Sequence, residues 1–540
     1  MVPTGLERSS AGLEPYTGVW DTDQKLHLLR RTTFGASLTD LLTIKSKSLS
    51  ETVSLLLTVP PIPPPPVNNY SAAADPTGVL PGQTWVNAPY DNSVNGARYL
   101  SWKAWWINEM ISRQLSVREK MTLFWHNHFS TETNDVGDAR YVFKHHALLR
   151  QYALGNWKDL TLAISTDPAM LRYLNGYVNT KTAPDENYGR ELQELFTVGK
   201  GPDSHYTEED VKNAARVLTG WRIDGVNNSS YFDSNRHDTT DKTFSPFYNA
   251  TTISGRTGAT AGAIELEKLI SMIFAQPETA KHLARKLYRF FVYYIIDSGV
   301  ETNVITPLAE IIRTNNYEIA PALSALLNSA HFFDPVNTGC SIKTPIDLTV
   351  GLCREFGINA VSTTNPPAVL SDSQRYAIWE YLRSQSSGMQ MNIGDPPNVA
   401  GWPPFYQEPQ FYEIWINADT LPKRNIFTDT MITKTGYTRS NTRLVIDVLS
   451  YAEQFPDPSD PTDLVDRIVQ HLYPIPISDT LKAALKTSSL LSGQARDFYW
   501  TDAWTAYKAN PSDINLQTTV VTRLQVLLKA LMNAAEYQLS

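Results

Sequence analysis

Tyr99-Leu100-Ser101-Trp102-Lys103-Ala104-Trp105-Trp106-Ile107-Asn108-Glu109-Met110 places its large apolar side chains three and four residues apart, the spacing that lines one face of an α-helix. A half-buried strand would alternate them every second residue. The spacing continues through Met121, Phe124, Trp125 and His128, then Leu160 and Ile164, so Ala97 to Leu195 reads as helix after helix. Two start signals agree. Thr166-Asp167-Pro168 offers a capping side chain with proline at the first helical position, and Thr207-Glu208-Glu209-Asp210 is a capping-box pattern ahead of Val211, Ala214, Ala215 and Leu218.

Upstream, Gln24 to Leu57 reads as two short amphipathic helices ending at Pro60-Pro61-Ile62-Pro63-Pro64-Pro65-Pro66, a run that can be only extended spacer. Residues 67–95 lack periodicity and read as a long surface loop. Downstream, residues 222–262 form an irregular excursion with room for a short hairpin. Helical patterns return over 264–274, 277–294, two or three more up to Gly357, and 371–386. A tract rich in proline, glycine and aromatics follows from Gly394 to Pro409, and 464–539 is helical again. With no βαβ alternation and no internal repeat, the expected fold is an all-α, large multi-helix globular body with long irregular loops. Its expected divisions are an N-terminal helical segment (1–58), a proline-rich linker and loop (59–95), a main helical domain carrying the candidate site (96–420), and a C-terminal helical region packed on it (421–540).

The 540 residues are 42% apolar and 19% charged, enough nonpolar surface for a large core. Lys and Arg number 47 against 55 Asp and Glu, and a net charge of -8 argues against a nucleic-acid partner, which needs concentrated positive charge. No window reaches the ~18 consecutive apolar residues of a membrane helix, so no transmembrane segment is expected. Cys340 and Cys353 are too few for a tetrahedral zinc or iron–sulfur site and leave room for one optional disulfide. The first residues lack the basic-then-apolar pattern of a signal peptide, which leaves localisation open.

Four constellations can carry chemistry. Trp125-His126-Asn127-His128-Phe129 holds two histidines that lie ~200° apart on a continuous helix, so both reach one divalent metal ion only if the helix ends there. Otherwise one packs and the other caps carbonyls. In Glu186-Asn187-Tyr188-Gly189-Arg190-Glu191-Leu192-Gln193-Glu194, the side chains of Asn187, Arg190, Glu191 and Glu194 share a helical face. Glu191 and Glu194 could meet a metal, or one could act as base while Arg190 holds an anion; a solvated face of Glu186–Arg190 and Arg190–Glu194 pairs is the plainer reading. Beside Arg190, Glu191 is expected to stay ionised. His237-Asp238 with Lys242 is a histidine–carboxylate pattern inside the irregular excursion, suited to base or ligand roles. Asp395-Pro396-Pro397-Asn398-Val399-Ala400-Gly401-Trp402 is a rigid loop whose Trp402, like Trp221, can stack on a ligand or plug the core. No phosphate loop, nucleophile elbow, His-Glu-x-x-His or dinucleotide fingerprint is present.

Several of these stretches, in this order, resemble one family. They are His27-Leu28-Leu29-Arg30-Arg31-Thr32-Thr33-Phe34-Gly35, the proline run, Arg118-Glu119-Lys120 leading to residues 125–129, Asp167-Pro168-Ala169-Met170-Leu171, and residues 186–192. Tyr206 to Val211 with Gly220-Trp221, His237-Asp238, Ala284-Arg285-Lys286-Leu287, and Pro396 to Trp402 complete the set. Together, over about residues 24–540, they are similar to the bacterial domain-of-unknown-function family numbered 1800. The resemblance implies a large bacterial protein, usually exported and often encoded beside sulfatase-like proteins, hence an extracellular or periplasmic role with such a protein as a partner. It implies no reaction. Gly189 stands where that family often has alanine.

Two functions follow as expectations. One is a metal-assisted hydrolase acting on a glycan or other polymer, with Glu191, Glu194, Arg190, Asn187, His237 and Asp238 catalytic, Trp221, Lys242 and Trp402 binding substrate, and His126, His128 and Glu191 holding a divalent metal. The other is a non-catalytic polymer-binding or scaffold protein of the cell envelope. Convergence of the polar face with His126 or His128 in one pocket separates them.

Overall fold

The computed structural model describes residues 11–111, 115–402 and 415–540. Pro403 to Pro409, the second half of the proline and aromatic tract, lies outside them, as do the first ten residues. The fold is mostly helical, 54% helix with 6% strand. The expectation of an all-α body is corrected by three small antiparallel sheets. Trp221–Asp224 pairs with Ser229–Phe232, Lys242–Thr243 with Thr252–Ile253, and Thr442–Leu444 lies between Val361–Ser362 and Tyr437–Arg439. Each rests on a few backbone bonds between short polar segments, too brief for an alternating pattern to show.

The helices begin where local chemistry starts them. The Asp167 carboxylate accepts from the Ala169 and Met170 amides with Pro168 at the first position, and Thr207 and Asp210 form a reciprocal capping box. The opening Trp-rich stretch lies in Asn92–Ile111, which packs along Asp372–Gly388. One apolar core joins that pair to 79–86, the 136–142 turn and the helices beyond Ile346; it encloses Trp85, Trp102, Trp106 and Trp500. A second core joins the N-terminal helices to residues 117–333 around Trp125 and Trp157. A fully buried tryptophan removes roughly 200 Å² from water, a gross gain of about 5 kcal/mol, so these rings weigh heavily in holding each core together.

The proline run is pinned to the body. Prolines lack N–H groups, so this segment can offer only carbonyls. Trp105 Nε1 donates to Pro64 O at 2.9 Å, and Arg118 Nη1 donates to Pro61 O at 2.9 Å. The loop that follows has no helix before Asn92, yet it buries Trp85, whose Nε1 donates to Ser101 Oγ, and an Asp75–Arg98 pair at 2.7 Å. No disulfide joins Cys340 to Cys353, and burial raises Cys353 to about 12, which keeps it protonated.

Candidate functional site

The expected site residues fall in separate places. The polar face of Asn187–Glu191 lies at the surface: Asn187 is exposed, and Arg190 pairs with Glu208 at 2.7 Å and Glu186 at 3.2 Å. Glu194 pairs with the exposed Lys200. Burial, then the neighbouring Glu194 charge, raises the Glu191 pKa above the ordinary carboxylate value, against the smaller opposing pulls of Lys200 and Arg190. Arg190 turns instead to Glu208, an acid on the next helix that spacing within one helix cannot foresee. Past Glu191 the chain widens into a π turn, Leu192–Phe196, whose carbonyls are taken from beneath. His128 Nε2 donates to Phe196 O at 3.0 Å, His282 Nε2 to Leu195 O at 3.1 Å, and Lys286 Nζ to both Leu195 O and His128 Nδ1.

His128 therefore spends both ring nitrogens inside the protein. His126 points to another neighbourhood, where its Nε2 accepts from the Gly394 amide at 3.2 Å and its ring packs on Trp106 and Trp402. Burial holds His126 down at about 3. His126, His128 and Glu191 are thus not gathered as a ligand set, and among the described residues no three His, Cys, Asp or Glu side chains converge closely enough to hold a metal ion.

His237 and Lys242 form a buried knot around Glu265, which no sequence pattern marks. His237 Nε2 lies 3.1 Å from Glu265 Oε1, Lys242 Nζ is 2.6 Å from Oε2, and all three side chains are essentially inaccessible. Asp238 faces outward to Arg216 at 2.8 Å. Burial would raise its pKa, but hydrogen bonds from Arg216 and Thr240 outweigh this and hold it at about 2. Lys242, expected to touch substrate, instead fastens the irregular excursion to Ala261–Phe274. Trp221 is half-buried against Phe232.

Among the expected residues, Trp402 borders a cleft of about 880 Å³ with the solvent at its mouth included. Asn127 grips the Trp402 backbone from both sides, accepting from its N–H at 2.6 Å and donating to its carbonyl at 3.0 Å. Gly401 makes this possible: its φ is +84°, and a Cβ there would lie 2.3 Å from Asn127 atoms. The cleft is also lined by Phe290, Tyr294 and Trp415, and by four cations, Arg30, Arg31, Lys120 and Arg289, against one carboxylate, Asp347.

Helix ends explain how such charge is buried. Arg30 Nη2 donates to Gln470 and His471 carbonyls, closing the helix Pro461–Leu472, and Arg31 donates through Nε to Phe291 O and through Nη2 to Val292 O, closing Pro277–Phe291. The negative end of each helix dipole favours a guanidinium there. Neither arginine has an Asp or Glu side chain within ion-pair distance among the described residues; oxygens of the backbone, with Ser540 at 3.3 Å from Arg31 Nη1, take up most of their N–H groups. Burial lowers Arg30 only to about 10, which leaves it protonated at neutral pH. Lys120 pairs with Asp347, and burial lowers its pKa against that carboxylate's pull.

Fold and cleft together define a mostly helical protein with a cation-lined pocket walled by aromatic rings. The model of the family described as "Protein of unknown function (DUF1800)" matches residues 27–539, and the chain belongs to that family. No curated protein and no solved structure matches the chain. Three of the stretches that carry the family resemblance meet at the cleft: residues 27–35 supply Arg30 and Arg31, residues 118–129 supply Lys120 and Asn127, and residues 396–402 supply Trp402.

Proposed function

We propose that this chain is an extracellular or cell-envelope protein that recognises an anionic group, such as envelope polymers carry, in the cleft between Arg31 and Trp402. One observation carries the reading. In a chain of net charge -8, four cations and one acid line this cleft. A low-dielectric wall lined by more cations than acids concentrates anions, and aromatic rings beside it hold the ligand's body. The polar face of 187–194, by contrast, has its strongest charges paired at the surface, where such pairs contribute little.

Titrating the full chain with an anionic oligosaccharide and with its uncharged counterpart tests this. The anionic ligand binds, binding weakens as salt rises, and Arg289→Gln lowers affinity about tenfold, the worth of one charge-assisted hydrogen bond. Equal binding of the uncharged counterpart would remove the reading.

A further inference from the structure

Lys286, on the helix Pro277–Phe291, differs from the other lysines drawn into the protein. The four buried ones each lie on a carboxylate: Lys103 on Asp395, Lys120 on Asp347, Lys242 on Glu265 and Lys343 on Glu355. Lys286 is partly exposed and rests on two uncharged acceptors instead. Its Nζ donates to Leu195 O at 3.0 Å and to His128 Nδ1 at 3.1 Å, and among the described residues no carboxylate lies within ion-pair distance of it.

The bond to His128 has a fixed direction. His128 Nε2 lies 3.0 Å from Phe196 O, and a carbonyl only accepts, so the ring proton sits on Nε2 and Nδ1 offers a lone pair. Burial, then the Lys286 charge, holds this imidazole far below the usual histidine value, which keeps it neutral. Two acceptors thus take two N–H groups. A neutral amine has just two and keeps its lone pair, whereas an ammonium has a third N–H that no described protein atom meets. The surroundings favour the neutral amine: burial first, then the Arg289 guanidinium three residues along the helix, lowers Lys286 to about 7. His282, which shares Leu195 O, is held at about 3 chiefly by burial and adds no charge at neutral pH, and Arg285 turns away to Glu278 and Glu301.

We propose that Lys286 is a nucleophilic amine that captures small aldehydes as an imine, at a site apart from the residues lining the cleft. The Nζ lone pair forms the C–N bond while the carbonyl π pair moves onto oxygen, and one amine proton passes to that oxygen to give a carbinolamine. The second amine proton leaves with the hydroxyl as water, and the nitrogen pair closes the C=N bond. Aldehyde and amine go in, imine and water come out, and no other reactant is consumed.

Glycolaldehyde is uncharged, so its capture does not depend on anion binding. The full chain is treated with glycolaldehyde and cyanoborohydride, which reduces an imine to a stable secondary amine, and the labelling rate of each lysine is followed by peptide mass spectrometry across a pH series. At pH 7 an ordinary lysine is free amine in only about one molecule in two thousand. Lys286 is therefore labelled at least tenfold faster than the exposed Lys434 at pH 7, and its rate levels off above about pH 8 while that of Lys434 keeps rising. A Lys286 rate at pH 7 no greater than that of Lys434, or one still climbing tenfold per pH unit at pH 9, overturns the proposal and leaves the anion-binding reading untouched.

Discussion

Glu191 shows how neighbours beyond its own helix reset a residue's role. Its spacing places it with Arg190 and Glu194, but Arg190 is drawn to Glu208, and burial with the Glu194 charge outweighs the pulls of Lys200 and Arg190, raising its pKa. Glu191→Gln is therefore expected to leave the protein equally stable or slightly more so, by under about 0.5 kcal/mol, and to leave anion binding unchanged. Thermal melting and a single titration check both; a large loss in either would return the site to this face. Lys242 is the opposite case. Its Nζ lies on the Glu265 carboxylate with no solvent access, so Lys242→Met strands a buried charge and is expected to cost about 3–5 kcal/mol, read as a lowered urea midpoint. A surface-like cost below about 1 kcal/mol would show that water reaches the knot.

At the scale of elements, Gly189 joins Asn187–Glu191 to Glu208–Val217. A Cβ there would stand 3.1 Å from Ala215 N and 3.2 Å from Val211 O, both backbone atoms of the facing helix. Gly189→Ala gains about 1 kcal/mol of helix propensity and loses a similar amount to that contact, so the variant is expected to melt no higher than the parent. A clear rise in melting temperature would mean the two helices separate freely. Helix positions were legible because three-and-four spacing and caps such as Asp167 and Thr207 are local signals. The π turn at Leu192–Phe196 was not, since it depends on carbonyl partners His128, His282 and Lys286 from distant segments. Trp402 was legible as a residue on a rigid loop. Arg30, Arg31 and Lys120 sat in recognised stretches, but only the meeting of helix ends with Trp402 makes them a site.

Across the whole molecule, buried histidines couple folding to pH. Burial holds His27, His126 and His282 at about 3 and His471 at about 4. Below their ordinary value near 6.5 the unfolded chain takes up protons that the folded chain refuses. Stability present above that pH is therefore lost as pH falls toward 4, by up to about 1.4 kcal/mol per pH unit for each imidazole. Melting temperature should drop steeply between pH 6.5 and pH 4, and a flat profile over that range would contradict the burial.

If the cation-lined cleft is the working site, a small anion of no particular shape lodges there. Bromide is a small anion indifferent to oxygen geometry, and its anomalous scattering marks its position in a crystal of the full chain. The strongest bromide peak is expected beside Arg30, Arg31 and Arg289 and is lost in Arg289→Gln crystals; an empty cleft with the strongest peak elsewhere, for example at Arg190, would contradict an anion site there.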